Sequence, residues 1–127
     1  TAWVANAGPL TNRYVTRGNW ATWISYSGSK VYNIYAGQTT LVGTASLSPN
    51  VDPTKVDIVI SLTAPWALDV DVTEGVKIQG YANIPPARNP NPGGFTTYKG
   101  NSLSVTVAKF NYYGIHLDVS KPITCPE

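Results

Sequence analysis

Apolar residues at every second position run through the middle and end of this chain, and that spacing constrains its fold more than any other feature. Val56, Ile58, Ile60 and Leu62 alternate with Asp57, Val59 and Ser61. Leu103, Val105 and Val107 alternate with Ser104 and Thr106, and Ile115, Leu117 and Val119 with His116, Asp118 and Ser120. Trp66, Leu68, Val70 and Val72 repeat the pattern against Ala67, Asp69 and Asp71. Successive side chains of an extended strand point to opposite faces, so period two gives one apolar and one polar face. Further strands are expected at 21–26, 30–35, 39–47 and 75–82. No stretch repeats apolar residues at helical spacing over three turns.

Turn chemistry falls between these segments: Ser27-Gly28-Ser29, Ala36-Gly37-Gln38, Ser48-Pro49-Asn50, Thr73-Glu74-Gly75 and Lys99-Gly100-Asn101. About eight strands at this spacing predict an all-β, antiparallel two-sheet β-sandwich of Ig-like or jelly-roll-like kind. The 127 residues suit one domain. Residues 18–127 are expected to form the sandwich and residues 1–17 an N-terminal extended arm, hinged at Gly8-Pro9. The arm either supplies a first strand of the same domain or pairs elsewhere. Ile84 to Gly94 holds Pro85, Pro86, Pro90 and Pro92. It reads as a rigid loop outside the sheet, because proline lacks the ladder donor.

Charge excludes some partners. Charged residues make up 13% of the chain and the net charge is +2, with the nine Lys and Arg scattered singly from Arg13 to Lys121. Nucleic-acid binding wants a basic stripe, and none exists. The apolar runs are too short to span a bilayer. The start at Thr1 is read as a mature form whose leader was removed. The single Cys125 cannot form an intrachain disulfide, and no Asn-x-Ser/Thr sequon occurs. These features suit an extracellular or cell-surface protein.

Candidate chemistry is sparse. His116 and Asp118 share a strand face two residues apart, and Cys125 follows. A reactive cysteine needs an ordered electropositive pocket, which a chain terminus rarely supplies, so His116 reads as part of a solvated strand face. No catalytic residue, cofactor or metal is assigned, and the chain is not expected to be an enzyme. Asp69 and Asp71 are a Ca²⁺ candidate, joined by Asp52 and Asp57 if the hairpin brings them close. The alternative is a polar face balanced by Lys77.

The aromatics divide. Trp66 alternates with an apolar face and reads as core. Trp20 and Trp23 differ by three, so a regular strand sends them to opposite faces. Tyr112 and Tyr113 follow Phe110 and cannot all point inward. Trp20, Trp23, Tyr112 and Tyr113 are therefore the candidate exposed contacts, suited to a sugar ring or a partner protein.

From Gly18 the order runs Trp20-Ala21-Thr22-Trp23, then Tyr35-Ala36-Gly37-Gln38, Val42-Gly43-Thr44, Trp66-Ala67-Leu68, Pro92-Gly93-Gly94-Phe95 and Ile115-His116-Leu117. This resembles a family of secreted β-sandwich modules from archaea and bacteria, over about Gly18 to Val119. The resemblance implies a fold and brings no catalytic residue. By class, the arm followed by a sandwich also resembles extracellular filament subunits (pilins) of the donor-strand type. That implies a structural subunit, assembling by β-strand addition of residues 1–17 to a neighbouring copy, with Trp3, Val4, Tyr14 and Val15 at the interface. The partner would be the chain itself. The alternative is a secreted carbohydrate-binding or adhesin module with glycans as partners.

Overall fold

The computed structural model describes residues 1–6, 12–15, 21–37 and 40–121. Among these the chain is all β, apart from a 3-10 turn at Pro92–Gly94. In chain order the strands are β1 (Ala2–Ala5), β2 (Ile24–Ser25), β3 (Lys30–Ala36), β4 (Thr40–Pro49), β5 (Lys55–Leu62), β6 (Ala67–Leu68), β7 (Val76–Tyr81), β8 (Tyr98–Gly100), β9 (Ser104–Ala108), β10 (Tyr112–Leu117) and β11 (Val119–Ser120). Every pairing between them is antiparallel.

Nine strands share one hydrogen-bonded sheet in the order β8-β7-β10-β1-β3-β4-β5-β9, with β2 added to the edge of β10, while β6 and β11 form a separate ribbon. The strands expected in two facing sheets are thus joined into one path. It curls almost into a barrel. Its end strands, β8 and β9, are separated in the chain only by residues 101–103, a link that extended backbone cannot stretch beyond about 14 Å.

Alternation sets the inward face. Val56, Ile58 and Ile60 of β5 point into the core beside Ile34 of β3, Leu47 of β4, Ile78 of β7 and Ile115 of β10. The pairing of β3 with β4 slips by one residue between Ile34 and Tyr35, a β-bulge that leaves Val42 and Gly43 both buried. Gly43 is needed there, because a Cβ would collide with the Ser61 carbonyl of β5.

Two expectations fail for local reasons. The strand predicted over 66–72 shrinks to β6, and Val70 is 94% exposed. The Asp69 carboxylate accepts the Asp71 N–H at 3.0 Å, and the Asp69 carbonyl accepts the Val72 N–H. Such an Asx-turn offers the backbone an alternative to the ladder and ends the strand. Lys99-Gly100, read as a turn, instead belongs to β8, paired with β7. The turn follows at Asn101, whose side chain accepts the Gly75 N–H and donates to the Thr73 carbonyl.

Of the stretch 1–17, residues 1–6 and 12–15 are described. β1 lies in the middle of the sheet, between β10 and β3. Residues 12–15 instead fold onto 21–23 of the same chain. Arg13 bridges Thr22, the Tyr14 N–H donates to Ala21 at 3.1 Å, and the Trp23 N–H donates to Asn12 at 3.0 Å. The Gly8-Pro9 hinge lies outside the described residues.

Candidate functional site

Two apolar layers meet at β1. Ala2 and Val4 point into the barrel core, while Trp3 points outward into a second buried cluster with Tyr14, Ala21 and Phe95. One edge of β1 pairs with β10 (Ala2 opposite Leu117, Trp3 opposite His116), the other with β3 from Ala36 to Asn33. The sequence Ala-Trp-Val-Ala has no polar alternate because neither face meets water. Two clamps hold its end. The Thr22 hydroxyl donates to the Val4 carbonyl at 3.0 Å, and the Asn6 side-chain oxygen accepts both the N–H and the hydroxyl of Ser25 at 3.1 Å.

Above the barrel, the Trp3 ring lies 6.0 Å from Tyr14, 6.2 Å from Phe95 and 4.8 Å from His116, all tilted or edge-on. Such tilted pairs suit the ring quadrupoles. Tyr14 reaches this position because position 114 is glycine; a Cβ there would collide with the Tyr14 hydroxyl. That hydroxyl bonds the Tyr81 hydroxyl at 2.9 Å. Burial pushes the Tyr14 phenol far above its ordinary value, and burial also raises Tyr81. Phe95 is delivered by the 3-10 turn, with its N–H on the Pro92 carbonyl at 3.1 Å. The Gln79 side chain then holds Thr96 through its N–H at 3.0 Å.

His116 is 6% exposed, not on a solvated face, because Trp3 covers it. Its Nδ1 has no hydrogen-bond partner among the described residues, and its Nε2 stands 4.0 Å from Asp118. Burial pulls its pKa down to about 4; Asp118 opposes that, and Lys77 and the Thr1 amine add to it. Lys77 pairs with Asp118 at 3.4 Å, not with Asp69 or Asp71. Cys125 lies outside the described residues, so the Cys-His-Asp arrangement is not assembled among them.

At the margin of the outer cluster, the proline-rich loop leaves a cleft of about 410 Å³. Its lining includes Tyr14, Tyr81, Phe95, Pro86, Arg88 and Asn89.

The other sequence-predicted residues are dispersed. Trp3, Val4 and Tyr14 are buried within their own chain and Val15 is half-buried. Tyr113, expected at the surface, is fully buried, a correction with a clear cause. Its ring fills the core, and its hydroxyl donates to Ala108 at 2.7 Å and accepts from the Phe110 N–H at 2.9 Å. Trp23 and Tyr112 are half-buried and meet edge-to-face at 5.4 Å. Trp20 lies outside the described residues. Asp69 and Asp71 gather no cation set: among the described residues, no three His, Cys, Asp or Glu side chains could hold a metal. Sequence reasoning missed Thr22, Phe95 and Tyr81. Phe95 carried the one usable signal, a lone large aromatic just after Pro-Gly-Gly.

Among the described residues, no helix is long and apolar enough to cross a membrane. No protein-family model matches the chain, and no curated protein or solved structure matches it at a significant level.

Proposed function

We propose that this chain is a structural, non-enzymatic subunit of an extracellular or cell-surface filament, in which β1 of one copy fills the slot between β10 and β3 of the next. The observation that carries this reading is the place of β1 in the sheet. It is four residues long, buried on both faces and paired on both edges. Without it the path separates into β8-β7-β10 with β2, and β3-β4-β5-β9. In this reading those are the two sheets of a sandwich, and residues 1–6 are the arm that stitches them.

Strand addition supplies main-chain bonds for affinity and alternate side-chain pockets for register. Here the inner pockets take Ala2 and Val4 and the outer one takes Trp3. An identical strand from another copy makes the same contacts, so exchange between copies costs little beyond the linking segment. The backbone bonds of 12–15 to 21–23 end the donated part before residue 12. Tyr14 and Val15 then roof the acceptor slot, and Trp3 and Val4 plug it. Of the sugar platform on Trp20, Trp23, Tyr112 and Tyr113, Tyr113 is core, Trp23 meets Tyr112 at 90°, and Trp20 lies outside the described residues.

Deleting residues 1–6 tests the reading. Full-length protein should form filaments visible by electron microscopy as concentration rises. The truncated protein should form none, and a synthetic peptide of residues 1–6 should bind it and restore amide protection on β3 and β10. Filaments that persist after truncation, or a full-length protein that stays monomeric at high concentration, would overturn it.

A further inference from the structure

We propose that the cleft between Tyr81 and the proline-rich loop binds a carboxylate-bearing sugar, a uronic-acid residue of a polysaccharide. Its volume, about 410 Å³, falls within the roughly 300–1,000 Å³ of small-ligand sites. Pro86 and Pro90 have fixed backbone φ, so the outer wall is preformed and little ordering is lost on binding. The wall carries the half-buried ring of Tyr81, packed edge-on against the buried Tyr14, while Phe95 is only 5% exposed. Aromatic rings offer the apolar surface that the C–H face of a pyranose covers.

Polar groups line the same cleft. Arg88 is exposed, and among the described residues it has no ion-pair partner. Among the described residues, no Asp or Glu lines the cleft. A guanidinium presents a planar fork of donors that matches a carboxylate bidentately. The amide of Asn89 makes no hydrogen bond among the described residues and can serve sugar hydroxyls as donor and acceptor. Gln79, by contrast, is committed to Thr96 and Gly80 and acts as scaffold. A lone cation beside the half-open Tyr81 ring suits an acidic sugar better than a bare phosphate, which would leave that ring uncovered.

The test is titration of full-length protein with tetragalacturonate, with a neutral tetrasaccharide and with inorganic phosphate, followed by calorimetry and by NMR shifts of the Tyr81, Asn89 and Phe95 amides. The acidic oligomer should bind at least about tenfold more tightly than either control and weaken with added salt. Arg88→Ala should remove that preference without changing the melting temperature, since the side chain is exposed, and Arg88→Lys should keep part of it. No binding, equal binding of the neutral oligomer, equal binding of phosphate, or an unchanged preference in Arg88→Ala each overturns the proposal. Loss of self-assembly in Arg88→Ala with no glycan present also overturns it, because the guanidinium would then serve a carboxylate of a second copy.

Discussion

His116 occupies an outward position of β10, but Trp3 packs over its ring at 4.8 Å and holds it neutral. The unfolded chain takes a proton at about pH 6.5, whereas the folded chain resists until about pH 4. Between those values the unfolded state binds more protons, so stability falls as pH drops from 6.5 to 4 and this contribution falls no further below 4. At about 1.36 kcal/mol per tenfold change in proton affinity, the loss is on the order of 3 kcal/mol. Urea melts at pH 7, 5 and 4 should show it, and His116→Leu should flatten the slope; an equal slope in both proteins would refute the assignment. Tyr14 and Gly114 offer a second residue-scale test. Gly114→Ala forces its methyl against the Tyr14 hydroxyl and should cost about 1–3 kcal/mol, the usual range for overpacking. Tyr14→Phe removes that oxygen. The double variant should therefore lose less stability in thermal melts than the two single losses combined, the coupling that contact residues display.

At the scale of elements, β1 concentrates burial in four residues. Trp3→Ala would empty the centre of the outer cluster and uncover His116, for a loss of about 3–5 kcal/mol, as for other buried tryptophans. Amide exchange should locate the damage, with protection falling first on Ile34 to Ala36 of β3 and on His116 and Leu117 of β10. Loss spread evenly over β4, β5 and β9 would show that β1 is not a separable element. This element was also the least legible in the sequence. Strands β5 and β9 face one layer of core, so Val56-x-Ile58-x-Ile60 announces itself by alternation. Ala2 to Ala5 is buried on both faces and shows no period. Trp66 to Val72 misleads in the opposite sense: its alternation is clean, but Asp69 captures the backbone two residues on and the strand ends at Leu68. The outer cluster escaped notice because Trp3, Tyr14, Tyr81 and Phe95 lie far apart in the chain and meet only once β10 and β7 lie side by side.

For the whole molecule, seating β1 in its own slot or in a neighbour's makes the same contacts, so geometry and concentration decide between them. The link from Asn6 to Asn12 has six Cα steps, which reach at most about 20 Å when extended. A donor copy must therefore hold its residue 12 within that distance of the acceptor's slot, which requires close-packed subunits. A reciprocal exchange closes into a two-fold dimer, whereas a head-to-tail exchange leaves one open slot and one free strand and so propagates. Few charges and a net charge of only +2 offer little electrostatic opposition to either. Ala2 and Ala36 are partners across β1 and β3, which allows the two outcomes to be separated. In a Cys125→Ser background, one copy carries Ala2→Cys and another Ala36→Cys. The two are mixed unfolded, refolded and oxidised. Exchange predicts a disulfide between unlike copies whose yield rises with concentration, since only a donated β1 brings the two thiols together. In a second preparation every copy carries both Ala2→Cys and Ala36→Cys, so each chain can link to two others, and size separation of the oxidised product then distinguishes a closed dimer from a ladder of longer oligomers. Head-to-tail assembly requires the ladder, and a dimer alone would rule out the filament while keeping the exchange.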